Sequence, residues 1–377
     1  MGYLPAIAEA DLLEAAHGLR VAVGPADPAG CGSALVSGLR ELGVDAELAV
    51  TFPHPFGFPA DRVVRGRARL AYGASAPFTH DVLHFQSWSW LPRDLDVQLA
   101  RALRRTVVIN FHGDDCRLYT LTRALFPRQA QVGDGRGDAA VRRRLGRLGR
   151  IAHAAIVKDL ELATYVYPFF ERVFLVASPV QAHLLGQPAP LRDAARPVVL
   201  HAPSDPRYKG TRAIERAIES VQKVAPLEFR LISGVTHGRL QEELRAADIV
   251  VDQLDAVATG VFALEAMAAG KPVLAEYDPS ILPPFQRDVP IVRVSPQTLA
   301  DRLAELVSDV DRRRELGAAG RRYVERVHGP TRVARAALRV YDGARGAPAG
   351  LYEATAEGVA PLEPDLLRLE GFALPAR

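Results

Sequence analysis

Short runs of Val, Ile, Leu and Ala alternate with longer segments of helical spacing along nearly the whole chain. Runs such as 20–24 RVAVG, 82–86 VLHFQ, 106–111 TVVINF and 172–177 RVFLVA are almost continuously apolar. That pattern suits strands buried on both faces of a parallel sheet. Comparable runs at 46–51, 151–157, 197–202, 228–233, 247–252, 272–276 and 290–294 bring the expected strands to eleven. Between them, segments such as 211–224 put Ile214, Ile218 and Val221 on one helical face. Alternation of this kind predicts right-handed βαβ units and an α/β fold of doubly wound sheets. Eleven strands exceed one comfortable sheet, and 377 residues suffice for two cores. Two Rossmann-like domains facing a central cleft are therefore expected. The stretch GQPAPLRDAARP (186–197) is the natural break, giving an N-terminal domain over 1–190 and a C-terminal domain over 191–345. The tail, 346–377, either packs back on the N-terminal domain or is disordered.

Composition narrows the function classes. With 48% hydrophobic and 24% charged residues the chain reads as globular, and a net charge of +3 gives no argument for nucleic acid. No apolar run reaches the roughly 20 residues of a membrane span. The first 18 residues carry acids and no basic n-region, so a cytoplasmic protein without a signal peptide is expected. Two cysteines, Cys31 and Cys116, make neither a disulfide framework nor a complete zinc site. Of 47 cations only four are lysine (Lys158, Lys209, Lys223 and Lys271), so a retained lysine marks a place for a compact ammonium. The basic runs 142–150 and 62–70 read as solvated faces, with peripheral contact to an anionic membrane as the alternative.

Ligands of open α/β sheets bind outside the carboxyl ends of the strands, so chemistry is sought in strand-to-helix loops. In GPADPAGCGSAL (24–35), Gly30 and Gly32 allow close backbone approach, and a helix beginning near Ser33 offers N–H donors to an anion. The loop is neither GxGxxG nor a P-loop. FHGDDCR (111–117) clusters His112, Asp114, Asp115 and Arg117 for sugar hydrogen bonding or acid–base work; alternatively the acids cap a helix and pair with Arg117. Trp88 and Trp90 follow the third strand, to stack on an acceptor or to pack between domains.

In HAPSDPRYKGTRAIERAI (201–218), Arg207, Lys209 and Gly210 precede an amphipathic helix, a diphosphate site in outline. In ISGVTHG (232–238), Gly234 leaves room for a flat ring, and His237 caps the helix or meets a ligand. GVFALEAMAAGKPV (260–273) places one carboxylate, Glu265, in a small, apolar helix. From Gly260 onward the N–H groups of Val261, Phe262 and Ala263 are free for phosphate oxygens. Side chains tilt toward the N-terminus of their helix, so Glu265 lies over the same mouth and can accept both hydroxyls of a ribose. The alternative is an internal ion pair with Lys271 or an arginine.

The segment LEAMAAGKPV resembles the retaining glycosyltransferases of family 4, in which two glutamates eight residues apart precede AMA-G-PV; Glu265 matches the second. The HGDD loop, KGT at 209–211 and the glycine-rich loop near Gly30 resemble further elements of that family, in the right order from about residue 20 to residue 340. The resemblance implies the GT-B fold, with the acceptor held mainly by the first domain and a nucleotide diphosphate-sugar by the second. It also implies transfer with retention and no metal or other cofactor. Lys209, Arg207 and the 260–269 helix would stabilise the leaving diphosphate, Glu265 would hold the ribose, and His112 would face the donor sugar. The acceptor would be a small molecule, a saccharide or a lipid, with Asp114, Asp115, Arg117, Trp88 and Trp90 beside it. Two positions depart from the family: Val257 stands where its first glutamate contacts sugar hydroxyls, and Ser204 stands in place of its arginine. Asp255 and Thr259 are alternative sugar contacts.

Competing readings are a non-catalytic nucleotide-sugar-binding partner and a sugar-nucleotide epimerase or phosphorylase on the same fold. The Asp-x-Asp pairs at 94–96 and 309–311 fall at expected helix starts, far from these loops, so a metal-dependent GT-A enzyme is set aside.

Overall fold

The computed structural model describes residues 8–127, 129, 135–185 and 195–369. The break expected at 186–197, and with it the 190/191 boundary, falls largely outside the described residues. Two sheets lie on either side of it. The first begins with β1 (Arg20–Gly24), β2 (Asp45–Val50), β3 (Arg62–Val63), β4 (Val82–Gln86), β5 (Thr106–Asn110), β6 (Ala154–Val157) and β7 (Arg172–Leu175). The second contains β8 (Val198–His201), β9 (Glu228–Leu231), β10 (Ile249–Val251), β11 (Val273–Ala275) and β12 (Val292–Arg293). The chain then returns to the first sheet as β13 (Gly350–Ala354) and β14 (Val359–Leu362).

The first sheet runs β14-β13-β7-β6-β5-β4-β1-β2-β3, parallel throughout except for the last hairpin, β13 with β14. The second runs β12-β11-β10-β8-β9 and is wholly parallel. Both strand orders reverse direction, between β1 and β4 in the first sheet and between β8 and β10 in the second. Loops leaving the strands at these reversals diverge and open a crevice. The loops after β1, β8 and β10 carry the glycine loop, the Lys209 loop and the helix start at Gly260.

Alternate residues of each strand feed two cores. In β1, Val21 and Val23 join the layer beneath the Cys31–Glu41 helix, and Ala22 joins the opposite layer. In the second sheet Leu200 and Val250 face one layer, and Val199, Ile249 and Val251 the other. Burial on both faces is what makes these runs continuously apolar.

One domain assignment needs correction. The Pro330–Gly346 helix, expected to close the C-terminal domain at 345, packs on the first domain through Val333, Ala334, Ala337 and Tyr341. Its Tyr341 hydroxyl meets His84 Nδ1 of β4 at 2.8 Å. The apolar stripe of this helix matches the first domain's outer layer, so the chain crosses back before its tail adds two strands. Among the described residues, no helix is long and apolar enough to cross a membrane.

Candidate functional site

The helix Val261–Ala268 follows β10 with Gly260 as its N-cap, and its first-turn N–H groups at Val261, Phe262 and Ala263 have no acceptor within the helix. One turn in, Glu265 is only 4% exposed. A carboxylate this deep requires partners. Its Oε1 lies 2.9 Å from His237 Nε2, and its Oε2 accepts from Gln241 Nε2 at 3.4 Å. The alternative partner, Lys271, is fully buried and directs its Nζ at the Arg245 carbonyl, 3.2 Å away.

Glu265 lines a cavity of about 240 Å³ together with Lys209, Ser204, Gly234, His237, Val261 and Phe262. Ala29, Phe56 and Phe58 of the first domain complete the wall, so the cavity lies between the domains. Lys209 reaches it from the loop after β8. Its Nζ lies 3.3 Å from Asp252 Oδ1 and also touches Gln253 Oε1, both at the end of β10. His201, buried at the end of β8, bonds the Val251 carbonyl and Thr211 Oγ1, each at 2.9 Å, and so fixes the Thr211–Val221 helix against β10. Gly210, the N-cap of that helix, has φ 67°, and a Cβ there would meet Leu254 Cβ at 2.6 Å.

Six of the residues expected at the donor site thus converge: Lys209, Gly234, Val261, Phe262 and Glu265 on the cavity, and Gly260 beside Lys209. Ala263 is fully buried behind them. Arg207 does not line the cavity. Its side chain is 76% exposed and bonded to Asp205 two residues earlier, at 2.7 Å, while Ser204 takes a place on the wall. The glycine loop also differs from expectation. The helix begins at Cys31, and the N–H of Gly32 is taken by Asp27 Oδ1 at 2.6 Å, so it does not offer itself to a ligand. Gly30 underlies the Phe58 ring, and its carbonyl accepts from Gln181 at 2.6 Å; the cavity is reached instead by Ala29.

On the first-domain side, His112 lies at the end of β5, and its Nε2 meets Gln86 Oε1. Burial pushes its pKa down to about 4, against the pull of Asp115, so the ring is neutral at pH 7. The expected acceptor cluster around it is mostly structural. Asp115 accepts the backbone N–H of Gly113 at 2.8 Å and that of His112 at 3.1 Å, which folds the loop. Arg117 forms a fork with buried Glu161 at 2.8 and 2.9 Å, leaving only Asp114 exposed, at 3.1 Å from it. Trp90 belongs to the core: it is fully buried, and Nε1 donates to the Ala49 carbonyl at 3.0 Å. Trp88 is exposed, with the Arg144 guanidinium 4.6 Å from its ring centre.

Val257, where the resemblance would place the family's first glutamate, is 2% exposed and packed into the first domain's core. Asp255 has φ 57° and binds through its backbone N–H to Glu276, 3.0 Å away. The Thr259 carbonyl accepts from Lys158 Nζ at 3.4 Å, across the cleft. No sequence motif points to Phe56, Phe58 or Gln241, and Lys158 stands out only as one of four retained lysines. For the two phenylalanines the available signal is the run of aromatics and prolines after β2.

A family described as glycosyl transferase-like matches residues 219–339, the segment that carries His237, Gln241 and Glu265. A search of curated protein sequences gives no match. Among solved structures the chain is similar to sucrose-phosphate synthase from Thermosynechococcus elongatus, with 16% identity over 86% of this chain and 98% of that one, TM-score 0.59. It is similar to Anabaena HepE, solved in complex with UDP-glucose, with 12% identity over 85% and 98% of the chains, TM-score 0.57. It is similar as well to UDP-GlcNAc 2-epimerase from Neisseria meningitidis, solved with UDP-GlcNAc, with 12% identity over 85% and 97%, TM-score 0.51. The two facing Rossmann-like domains are the GT-B fold.

Proposed function

We propose that this chain is a glycosyltransferase of the family 4 kind, moving a sugar from a nucleotide diphosphate-sugar to an acceptor with retention and without a metal. The observation that carries this reading is the convergence of Glu265, Lys209 and the first turn of the Val261–Ala268 helix on one interdomain cavity. A helix N-terminus with an ammonium beside it is suited to a diphosphate. A carboxylate one turn further along is suited to a vicinal diol. In the proposed reaction the bond between the anomeric carbon and the diphosphate breaks, and the leaving oxygens gather charge in front of Lys209 and the N–H groups of Val261 and Phe262. Preorganised donors aimed at developing charge are the main catalytic resource of such a site. Glu265 holds the ribose, and neutral His112 faces the donor sugar as a hydrogen-bonding group. The acceptor enters over the first domain, where Asp114 and Trp88 are the exposed members of the expected set.

The fold is shared with an epimerase, so the reaction has to be measured and not read from architecture. Calorimetric titration of nucleoside diphosphates and their sugars gives the first test. Glu265→Ala and Lys209→Ala are each expected to weaken the preferred nucleotide by about 10- to 100-fold, as for loss of a charged hydrogen bond. Wild-type affinity in both variants removes the assignment. Sugar transfer to a panel of acceptors, with the anomeric configuration read by NMR, tests turnover and retention. Nucleotide binding with no sugar transferred, released or epimerised would mark a binding partner instead.

A further inference from the structure

One wall of the cavity beside Glu265 comes from the first domain. After β2 the chain runs through TFPHPFGFPA (51–60), which holds three phenylalanines and three prolines. Proline fixes φ, so such a loop gives up little freedom when its rings are used as a surface. Phe56 and Phe58 line the cavity. The Phe56 carbonyl accepts the backbone N–H of His237, in the other domain, at 2.8 Å. The Phe58 ring lies 4.3 Å from the His237 imidazole, centroid to centroid, and covers Gly30 so closely that a Cβ there would come within 2.5 Å of it. His54 stands edge-on to the same ring at 4.6 Å. His237 in turn is the 2.9 Å partner of Glu265. A single chain of contacts thus runs from the glycine loop through Phe58 and His237 to the carboxylate.

We propose that Phe56 and Phe58 form the base wall of the nucleotide site, and that closing this wall sets His237, and through it Glu265, for the ribose. This rests on the donor-site reading above and adds to it the part of the ligand that the first domain recognises: the planar heterocycle of a nucleoside diphosphate. The facing surface suits such a ring. It is made of Ile232, Gly234 and Val235, and at Gly234 nothing lies within 4 Å of the position of a Cβ. A flat, weakly polar ring between an aromatic surface and open backbone gains stacking that a bare diphosphate cannot. His237 is a positioning residue in this scheme, acting through the group it orients.

The test compares a ligand with a base against one without, on the full chain. The wild type, Phe56→Ala, Phe58→Ala and Phe58→Tyr are titrated calorimetrically with UDP, ADP, GDP and inorganic pyrophosphate. Phe58→Ala is expected to weaken the tightest nucleoside diphosphate by about 10- to 100-fold, the worth of one base stack, while pyrophosphate stays within about twofold. Phe56→Ala is expected to shift in the same direction, and Phe58→Tyr, which keeps a ring face, to restore binding. Should Phe58→Ala melt prematurely, Phe58→Leu keeps apolar volume without a ring and is expected to show the same selective loss. Equal weakening of nucleotide and pyrophosphate, or unchanged nucleotide affinity, overturns the base wall. A wild type that binds none of the nucleoside diphosphates defeats the donor site itself, and that failure shows before any variant is made.

Discussion

Two buried carboxylates near the cleft, Glu265 and Asp27, differ in how their oxygens are used. Both oxygens of Glu265 have partners in His237 and Gln241. Asp27 spends Oδ1 on the N–H groups of Gly32 and Ser33, at 2.6 and 3.3 Å, and its buried Oδ2 has no partner. Burial therefore wins over those hydrogen bonds and pushes its pKa from 3.8 up to about 6. A raised acid makes the folded state take up a proton between pH 3.8 and 6, so stability falls as pH rises through that window. The cost is complete above pH 6 and is on the order of 3 kcal/mol. Asp27→Asn keeps the Oδ1 acceptor and removes the charge. It should melt several degrees above the wild type at pH 8, the gap closing below pH 4; an unchanged melting temperature at pH 8 would mean that the charge is compensated. The same scale shows why side chains that neighbour each other in sequence take different places. Arg207 and Lys209 both lie within four residues of the helix start at Thr211, but an acid two residues before the arginine captures it locally. Trp88 and Trp90 look alike in the strand-like SWSW. Past the turn at Ser87, with φ 62°, the segment is no strand: the Trp90 N–H is held by Asp96 at 2.7 Å and its ring lies in the core, while Trp88 stays at the surface.

Each of the eleven expected strands has its counterpart in the two sheets, and in all but the edge strands β9 and β12 the apolar run coincides with burial, which is what made them legible. β3, β13 and β14 were not foreseen. β13 and β14 lie at one edge, β13 interrupted by Glu353 and β14 by Pro361, and β13 is ordered by pairing with β7, a partner far away in sequence. Local pattern carries no trace of such pairing. The short elements of the cavity depend on backbone geometry more than on composition. Gly210 joins the Lys209 loop to its helix in the left-handed region, and the Lys209 carbonyl accepts the N–H of Leu254 at 3.2 Å. An alanine at 210 brings the left-handed penalty of about 1–2 kcal/mol and, in addition, the collision with Leu254. The relief is a shift of the loop, which withdraws Lys209 from the cavity. Gly210→Ala should therefore lower the melting temperature and also copy Lys209→Ala by weakening pyrophosphate. Thermal melts alone cannot separate the two effects; the pyrophosphate titration can, and full affinity there would show the loop to be more tolerant than its contacts imply.

At the scale of the molecule, the two domains share more than a cleft. The loop from 252 to 260 leaves the second sheet, yet its tip is counted in the first domain's core, with Val257 and Ala258 buried there. The Val257 N–H donates to Gln129 Oε1 at 3.2 Å, and the next turn is held by Lys158 at the Thr259 carbonyl. Phe285 donates its N–H to Glu353 of β13 at 2.8 Å, and Arg368 joins Asp278 at 3.0 Å. The position that would carry a sugar-binding glutamate by resemblance has thus become an apolar clasp. This explains how a glutamate can be absent there without the loop collapsing, because the loop earns its order from the seam. Val257→Glu is the informative variant. An unpaired carboxylate in that core costs several kcal/mol, and the cheapest escape is to lift the loop out and open the domains. Opening separates Phe56 and Phe58 from His237, so nucleotide affinity should fall although no residue of the cavity has changed. Small-angle scattering should show a larger radius of gyration, and Val257→Ala, which removes only apolar contact, should remain compact. If Val257→Glu stays compact and binds nucleotide-sugar more tightly than the wild type, the loop is free to swing its side chain toward the sugar, and the clasp is not what holds the domains together.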